Sequence, residues 1–460
     1  MPIVATQIVS IFLAVLYTFL ALGSCAVPPP APVLAVQTEI PREVTHARRL
    51  NILSSRGEES HALIRAAGLF MEDHPDSLIT VRTISEESDY RSALRARLLG
   101  GEQIDLFHIF GHADMIELLE HLDDLSDLGW ADEATAGLTH PVRIDGRLYG
   151  LPHSLDGVGL IANRRIFEAA GVPLGEITSL EQTEGAFRAL REVMTSGALD
   201  SVFPNLETVT SLPGLDDDFM SRQLADIALG GEFTSSEQAV NAASIAYLNA
   251  DPMGLYLAML ARYTTHGRGW AMLVDIPQSE QVENGLAAER VAIIQQSISI
   301  FPRLNAANPD LAGDLALLPI FLDDEEPGMV YIHSPVYWAV NASSQDESRA
   351  LARDFLTWLY RSESGASFLA QEMGLLSPFR EAAAPRDNPL DTQLLALIGR
   401  GQYHPRRHRE FPAGWPAQFS GAIRDYLTIL EVDWEEVTER GREDWFYIRS
   451  SSWEPGIEGW

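Results

Sequence analysis

The chain has 460 residues, length for two to three domains at roughly 100–200 residues each, and its 46% apolar content supports a sizeable core. Acidic residues number 65 against 33 basic, a formal charge of -32. That balance argues against nucleic acid and anionic membrane surfaces as partners, because phosphate recognition rests on clustered basic side chains. Every basic residue is Arg and none is Lys, so a Walker-type phosphate loop, a kinase-type lysine and a Schiff-base lysine are all excluded.

Residues 1–24 carry no charge, and the run from Ile3 to Leu22 is almost wholly apolar, closing on Leu22-Gly23-Ser24-Cys25. Cys25 is the single cysteine, which rules out an internal disulfide and a Cys-based metal cluster. The closing pattern resembles a bacterial lipobox, in which the thiol takes a lipid after the preceding signal peptide (1–24) is removed. The n-region lacks the usual positive charge, and a run of about 20 apolar residues retained as a spanning anchor is the alternative. Residues 25–47 form a Pro-rich tether of the semi-extended kind. Either way, the expected topology is a body outside the cytoplasmic membrane, held by its amino end.

From residue 48 the pattern is α/β. A short apolar run over 50–53 leads into the polar loop 54–59, and a helix fits 60–73 with Leu63, Ala67 and Phe70 at helical spacing. Strands are expected over 78–84 and 104–110, with helices over 89–99 and 115–122. Asp145-Gly146 between two short apolar runs predicts a tight hairpin. A strand over 158–162 and a helix over 164–170 follow, and 176–290 reads as mainly helical. Buried strands are expected at 291–294 and 315–318, a strongly amphipathic helix over 348–360, and helices in the polar, aromatic-rich stretch after 381. The strand–helix alternation predicts mostly parallel sheets covered on both faces, with ligands beyond the carboxyl ends of the strands.

Several stretches carry a family likeness: Phe70-Met71-Glu72-Asp73-His74-Pro75, Gly101-Glu102-Gln103-Ile104-Asp105-Leu106, and Leu122-Asp123-Asp124-Leu125. The most specific is Asp145-Gly146-Arg147-Leu148-Tyr149-Gly150-Leu151-Pro152, followed by Asn163-Arg164-Arg165-Ile166-Phe167 and by Ser362-Glu363-Ser364-Gly365. Taken in order over 48–380, these resemble the extracellular solute-binding proteins of ABC importers, in the carbohydrate-binding family that includes maltose-binding protein. The resemblance implies a two-lobe periplasmic-binding-protein fold of the α/β class, with a ligand cleft between the lobes. Lobe 1 is expected from 48–152 and 318–370, lobe 2 from 153–317 and 371–460, with crossings near 151–155, 316–320 and 370–378. It implies a monomeric receptor, tethered through Cys25 outside the cytoplasm, that delivers a sugar or oligosaccharide to permease subunits and needs no cofactor. The alternatives are a non-sugar solute in the same fold (a polyamine, a polyol phosphate or a peptide) and a secreted carbohydrate-active enzyme.

A sugar site needs planar hydrogen-bonding groups for hydroxyls and aromatic faces for ring C–H surfaces. Loops at strand ends and crossings offer Arg56, Glu59, Phe110 and His112 in the first lobe and His153, Ser154 and Asp156 at the first crossing. The second lobe offers Gln295, Gln296 and Trp415, and Tyr331, His333 and Ser334 are expected where the chain has returned to the first lobe. Each has a structural alternative. Arg56 and Glu59 can pair on the surface or cap a helix, and Phe110 can pack in the core. Gln295 and Gln296, adjacent on a strand, cannot both face a ligand. Trp415 lies in a Pro/Gly-rich stretch, which favours a stacking platform over a core position, whereas Trp434 and Trp445 are expected to pin the carboxyl-terminal helices.

Enzyme signatures are weak. The pairs His108/His112 and His404/His408 have four-residue spacing but lack the Glu of a zinc-protease helix. No Gly-x-Ser-x-Gly elbow occurs, and a pair of glycosidase carboxylates has no local signature.

Overall fold

The computed structural model describes residues 48–135, 137–247, 250–264, 267–324, 326–379 and 386–452. The apolar leader, Cys25 and the Pro-rich tether lie outside them. Among the described residues no helix is long and apolar enough to cross a membrane.

Strands β1 (Arg48–Ser54), β2 (Ser77–Thr83) and β3 (Leu106–Ile109) come first, joined by the helices Ser60–Asp73 and Glu87–Leu99. The first helix buries Leu63, Ala66, Ala67 and Phe70, one stripe at helical spacing. The expected hairpin forms as β4 (Arg143–Ile144) and β5 (Arg147–Leu148). Asp145 and Gly146 take φ of 50° and 79° at its turn, the left-handed pair a two-residue hairpin demands. After β6 (Leu151–Pro152) come β7 (Asp156–Asn163), β8 (Thr208–Ser211), β9 (Val291–Ser297), β10 (Leu315–Leu318), β11 (Val330–His333), β12 (Tyr337–Val340) and β13 (Tyr403–Pro405).

These strands divide between two main sheets. The first has the order β2-β1-β3-β12-β6, and the second β13-β11-β7-β9-β8 with β10 also paired to β7. Pairing is parallel among β1, β2 and β3, whereas β12 runs antiparallel to both β3 and β6. In the second sheet β7 is antiparallel to β9, β10 and β11. The ladders are therefore mixed, where strand–helix alternation alone predicted mostly parallel ones. The strands that leave one lobe or re-enter the other, β7 and β12, are the ones that run against their neighbours.

The chain passes from the first sheet to the second at His153–Leu155, between β6 and β7. Its return corrects one expected boundary. β10 and β11 lie end to end along one edge of β7, with an Ile320–Met329 bridge closing the link between them. The return thus falls at Ser334–Val336, not at 316–320, and Tyr331 and His333 stand in the second sheet. The apolar run Val330–Ile332 fits either sheet equally well; only the free edge of β7 decides.

One hydrophobic core fills the first lobe, built from Leu50, Phe70, Phe107, Trp338, Phe355 and their neighbours. The helix Asp346–Arg361 lies on it through Leu351, Phe355 and Leu359, with acids in its first turn and Arg361 in its last, the polarity the helix dipole favours. The second sheet is covered on both faces, as alternation along β7 shows: Val158, Leu160 and Ala162 join one core and Ile161 the other. In the middle of β7 a side chain at Gly159 would come within 2.8 Å of the Leu318 carbonyl, so the close pairing with β10 requires glycine there.

Candidate ligand cleft

The loop after β1 is pressed into place by its glycine: a Cβ at Gly57 would sit 1.9 Å from the Ser85 hydroxyl. Arg56 and Glu59 lie on either side of Gly57 in this loop. Arg56 Nε donates to Glu59 Oε1 (3.0 Å), and its Nη2 lies 2.5 Å from Glu58 Oε1. Glu59 makes no side-chain cap to the helix it precedes; its other oxygen lies 2.7 Å from His153 Nε2. Burial opposes the Glu59 charge, but His153 and Arg56 together outweigh it and hold the carboxyl at about 2. Glu59 is therefore a carboxylate to which His153 donates from Nε2. Two loops distant in sequence are locked at the first crossing by this pairing.

Behind His153 lies a cluster of tilted and edge-on aromatic rings. The His108 ring sits 3.9 Å from Trp338 and 5.3 Å from His153, centroid to centroid. Burial, with His153 and Arg56 adding positive charge nearby, pushes His108 well below the usual histidine range, so it is neutral, and its Nδ1 accepts from the Ser55 N–H at 3.1 Å. Tyr360 donates to the His153 carbonyl (2.8 Å) and takes the Trp338 indole N–H (3.1 Å). Ser334 Oγ accepts from the His153 N–H (2.9 Å) and donates to the Val336 carbonyl (2.7 Å), tying the outgoing and returning crossings together. Ser154 is buried beside it, its N–H 3.4 Å from Ser334 Oγ.

Asp156 opens β7 with both carboxylate oxygens 2.6 Å from Ser297 Oγ and one accepting the Gly157 N–H at 2.8 Å. Burial raises its pKa, and the Ser297 and Gly157 donors offset only part of that. Among the described residues no cation bonds it directly, although Arg56 and Arg406 act on it through space.

The second-lobe wall was not anticipated. After β13 the segment Arg406–Glu410 is held by Asp226. That carboxylate accepts from Arg406 Nε (2.7 Å) and from the Arg407 and His408 N–H groups (2.7 and 2.8 Å), and lies 2.8 Å from His408 Nδ1. Burial would raise it, but His408 and Arg406 hold it at about 2. Arg406 Nη2 donates to Asp218 (3.1 Å), which keeps 36% of its side chain accessible. His333, at the end of β11, has a buried Nδ1 with no partner and lies 6.5 Å from the His408 ring. An isolated Asp in the apolar run Leu224-Ala225-Asp226-Ile227-Ala228 was the available sequence signal.

The remaining candidates are drawn inside the lobes or, for Phe110, into the seam between them. Phe110 packs edge-on to Tyr90, and the guanidinium groups of Arg91 and Arg409 lie 4.8 and 4.9 Å from its ring centre. His112 is buried near the Pro141 backbone, and burial lowers its pKa. Gln295 is spent on Tyr256 (2.8 Å) and Gln223 (3.0 Å), and Gln296 on Asp216 (2.9 Å) and Gln281 (3.1 Å). Both amides are thus satisfied within the second lobe. Tyr331 is buried in the same core, 5.7 Å from His404.

Trp415 requires the clearest correction. It begins the helix Trp415–Thr428, is fully buried, donates to the Gly441 carbonyl (2.7 Å) and stacks on Phe419 at 5.0 Å. The Pro/Gly stretch is a helix start: Gly414 takes φ of +87° and Pro416 sits in the first turn. Trp445 and Trp434 do pin the final helix, donating to the Ala242 and Ala250 carbonyls. Among the described residues no group of three or more His, Cys, Asp or Glu is placed to hold a metal ion.

Thus Arg56 from the first lobe acts through space on Asp156 at the crossing, Asp156 on Asp218, and Asp218 on His333 in the second lobe. Such a site can clamp a polyhydroxylated solute through charged and neutral hydrogen-bonding groups from both sides. The model of the family described as bacterial extracellular solute-binding protein matches residues 53–366. A comparison with curated proteins gives no match. Solved structures share the fold. The putative binding protein MsmE from Bacillus subtilis, in an open conformation, aligns with a TM-score of 0.68 at 18% identity, over 89% of this chain and 99% of its own. The apo form of RafE from Streptococcus pneumoniae gives 0.70 at 13% identity, over 90% and 100%. A sugar transporter protein from Bacillus licheniformis, in complex with stachyose, gives 0.62 at 16% identity, over 87% and 100%. With the family model matching residues 53–366, more than half of the chain, the chain belongs to the bacterial extracellular solute-binding proteins.

Proposed function

We propose that the protein is the substrate-binding receptor of an ABC importer, capturing a sugar or oligosaccharide outside the membrane and delivering it unchanged to permease subunits. What supports this reading is the family match together with the proximity of Arg56, Asp156, Asp218 and His333, which act on one another in sequence through space. A ligand touching both walls favours the closed arrangement by its differential contacts, and the permease reads that arrangement. Solved relatives in complex with raffinose and with stachyose support the sugar class. In this reading Arg56, Asp156, Asp218 and His333 contact the ligand. Glu59, His153, Ser154 and Ser334 hold the crossing, and Cys25 carries the lipid that tethers a monomer to the membrane.

The test is a thermal-shift screen of the purified protein against oligosaccharides, monosaccharides, polyols, polyamines and amino acids. A ligand present at a hundredfold excess over its dissociation constant stabilises the native state by about 2.7 kcal/mol. A shift with one sugar class, and the sugar recovered intact, supports the reading. A shift with polyamines alone overturns the cargo, and consumption of the sugar overturns the receptor role. Metabolic labelling with a fatty acid, lost in Cys25→Ser, tests the tether.

A further inference from the structure

We propose that Arg409 is a positioning residue of the cleft, a latch that holds the second lobe against the first through the ring of Phe110. The local chain dictates where it points. Asp226 accepts the N–H groups of Arg407 and His408 and binds the side chains of Arg406 and His408, so three consecutive residues are turned back into the second lobe. Arg409 is the next residue, and it extends to the other lobe.

There its guanidinium lies 4.9 Å from the centre of Phe110, the residue that follows β3 of the first sheet. Its Nη1 is 3.5 Å from Glu87 Oε1, too long for a strong ion pair, and its buried Nε has no hydrogen-bond partner. Its contacts across the seam are therefore the distant Glu87 carboxylate and the Phe110 ring, which Arg91 also approaches at 4.8 Å, and a cation over a partly desolvated aromatic face is attracted by the ring quadrupole. The same seam continues on both sides. A Cβ on Gly111 would lie 3.8 Å from Glu410 Oε1, and one on Gly137 would lie 3.1 Å from the Pro405 ring. These contacts join the lobes without any ligand atom. Arg409 thereby sets the fraction of protein already closed, and apparent affinity scales with that fraction. The consequence for binding rests on the receptor reading; the closure itself does not.

The experiment compares the full chain with Arg409→Ala, Phe110→Leu, Glu87→Gln and the Arg409→Ala/Phe110→Leu pair, using small-angle scattering without ligand and raffinose dissociation kinetics. Arg409→Ala and Phe110→Leu are each expected to enlarge the unliganded protein, the double variant no more than either, with Glu87→Gln unchanged and Arg409→Lys restoring part of the closure. Raffinose is expected to leave Arg409→Ala about tenfold faster, or about 1.4 kcal/mol, while its association changes by less than about threefold. Wild-type scattering and wild-type dissociation in a stably folded Arg409→Ala would overturn the latch. So would opening in Glu87→Gln with Phe110→Leu silent. Failure of the wild type to bind raffinose counts against that sugar as cargo, and scattering still decides the latch.

Discussion

Glu59 in the first lobe and Asp226 in the second each accept from an arginine Nε, at 3.0 and 2.7 Å, and each lies beside a histidine nitrogen, at 2.7 and 2.8 Å. Both are held at about 2. They differ in their surroundings. Arg56 keeps 30% of its side chain accessible, whereas Arg406 keeps 2% and Asp226 1%. Asp226 also takes two backbone N–H groups, and Glu59 takes none from its own helix. The same grouping of carboxylate, guanidinium and imidazole therefore leaves one accessible arginine beside a buried Glu59–His153 pair in the first lobe and makes a saturated anchor in the second. Solvent access and spare hydrogen-bonding capacity, more than charge, separate a residue that can answer a ligand from one that holds the wall.

The largest break in this comparison is expected from Asp226→Asn. Leaving Arg406 buried beside a neutral amide costs about 3–5 kcal/mol, read as a lower urea midpoint; a loss below about 1 kcal/mol would mean that the cluster is not an anchor. Next comes acid. Glu59 is held at about 2 against an ordinary 4.5, so the unfolded chain binds its proton more readily than the folded one. The stabilisation is complete above pH 4.5 and is lost as pH falls through about 2, an amount on the order of 3 kcal/mol. Glu59→Gln should be less stable than wild type at pH 7 and show a flatter decline across that window; parallel curves would contradict the pairing.

Smaller effects sharpen the contrast. Arg56→Ala is expected to weaken sugar binding about tenfold, or about 1.4 kcal/mol, while changing stability by no more than about 1 kcal/mol, because its ion pairs are partly exposed. Calorimetry and denaturation on the same variant separate the two; an unchanged affinity would remove Arg56 from the cleft. Ser297→Ala strips Asp156 of a buried donor at a cost of about 1 kcal/mol, and titration of Asp156 by NMR should move upward.

Much of the first-lobe cluster could be read along the chain. Arg56 and Glu59 are three residues apart at a strand end, and His153 and Asp156 lie on a crossing, so position alone brought them forward. That His153 would meet Glu59 could not be read, because 94 residues separate them. The anchor was hidden more deeply: Asp226 stands about 180 residues from Arg406, and the local pattern His404-Pro405-Arg406-Arg407-His408 shows only that a metal is unwelcome. Trp415 was misplaced for the opposite reason. Its Pro and Gly neighbours are turn residues in most contexts, and only the left-handed φ at Gly414 and the packing on Phe419 and Trp445 show a buried helix start.

The sequence by itself determined what depends on a few neighbouring residues: the helix over Ser60–Asp73, the Asp145-Gly146 turn, β10 and the amphipathic helix Asp346–Arg361. Backbone preference and apolar spacing act over one or two turns, and that is their range. Tertiary structure alone decided that β11 lines the edge of β7, that Phe110, Tyr331, Gln295 and Gln296 are satisfied within the protein, and that Arg409 reaches the opposite lobe. Those outcomes turn on which buried edge or unpaired group remains free once the sheets have assembled, and contacts between residues far apart in the chain settle it.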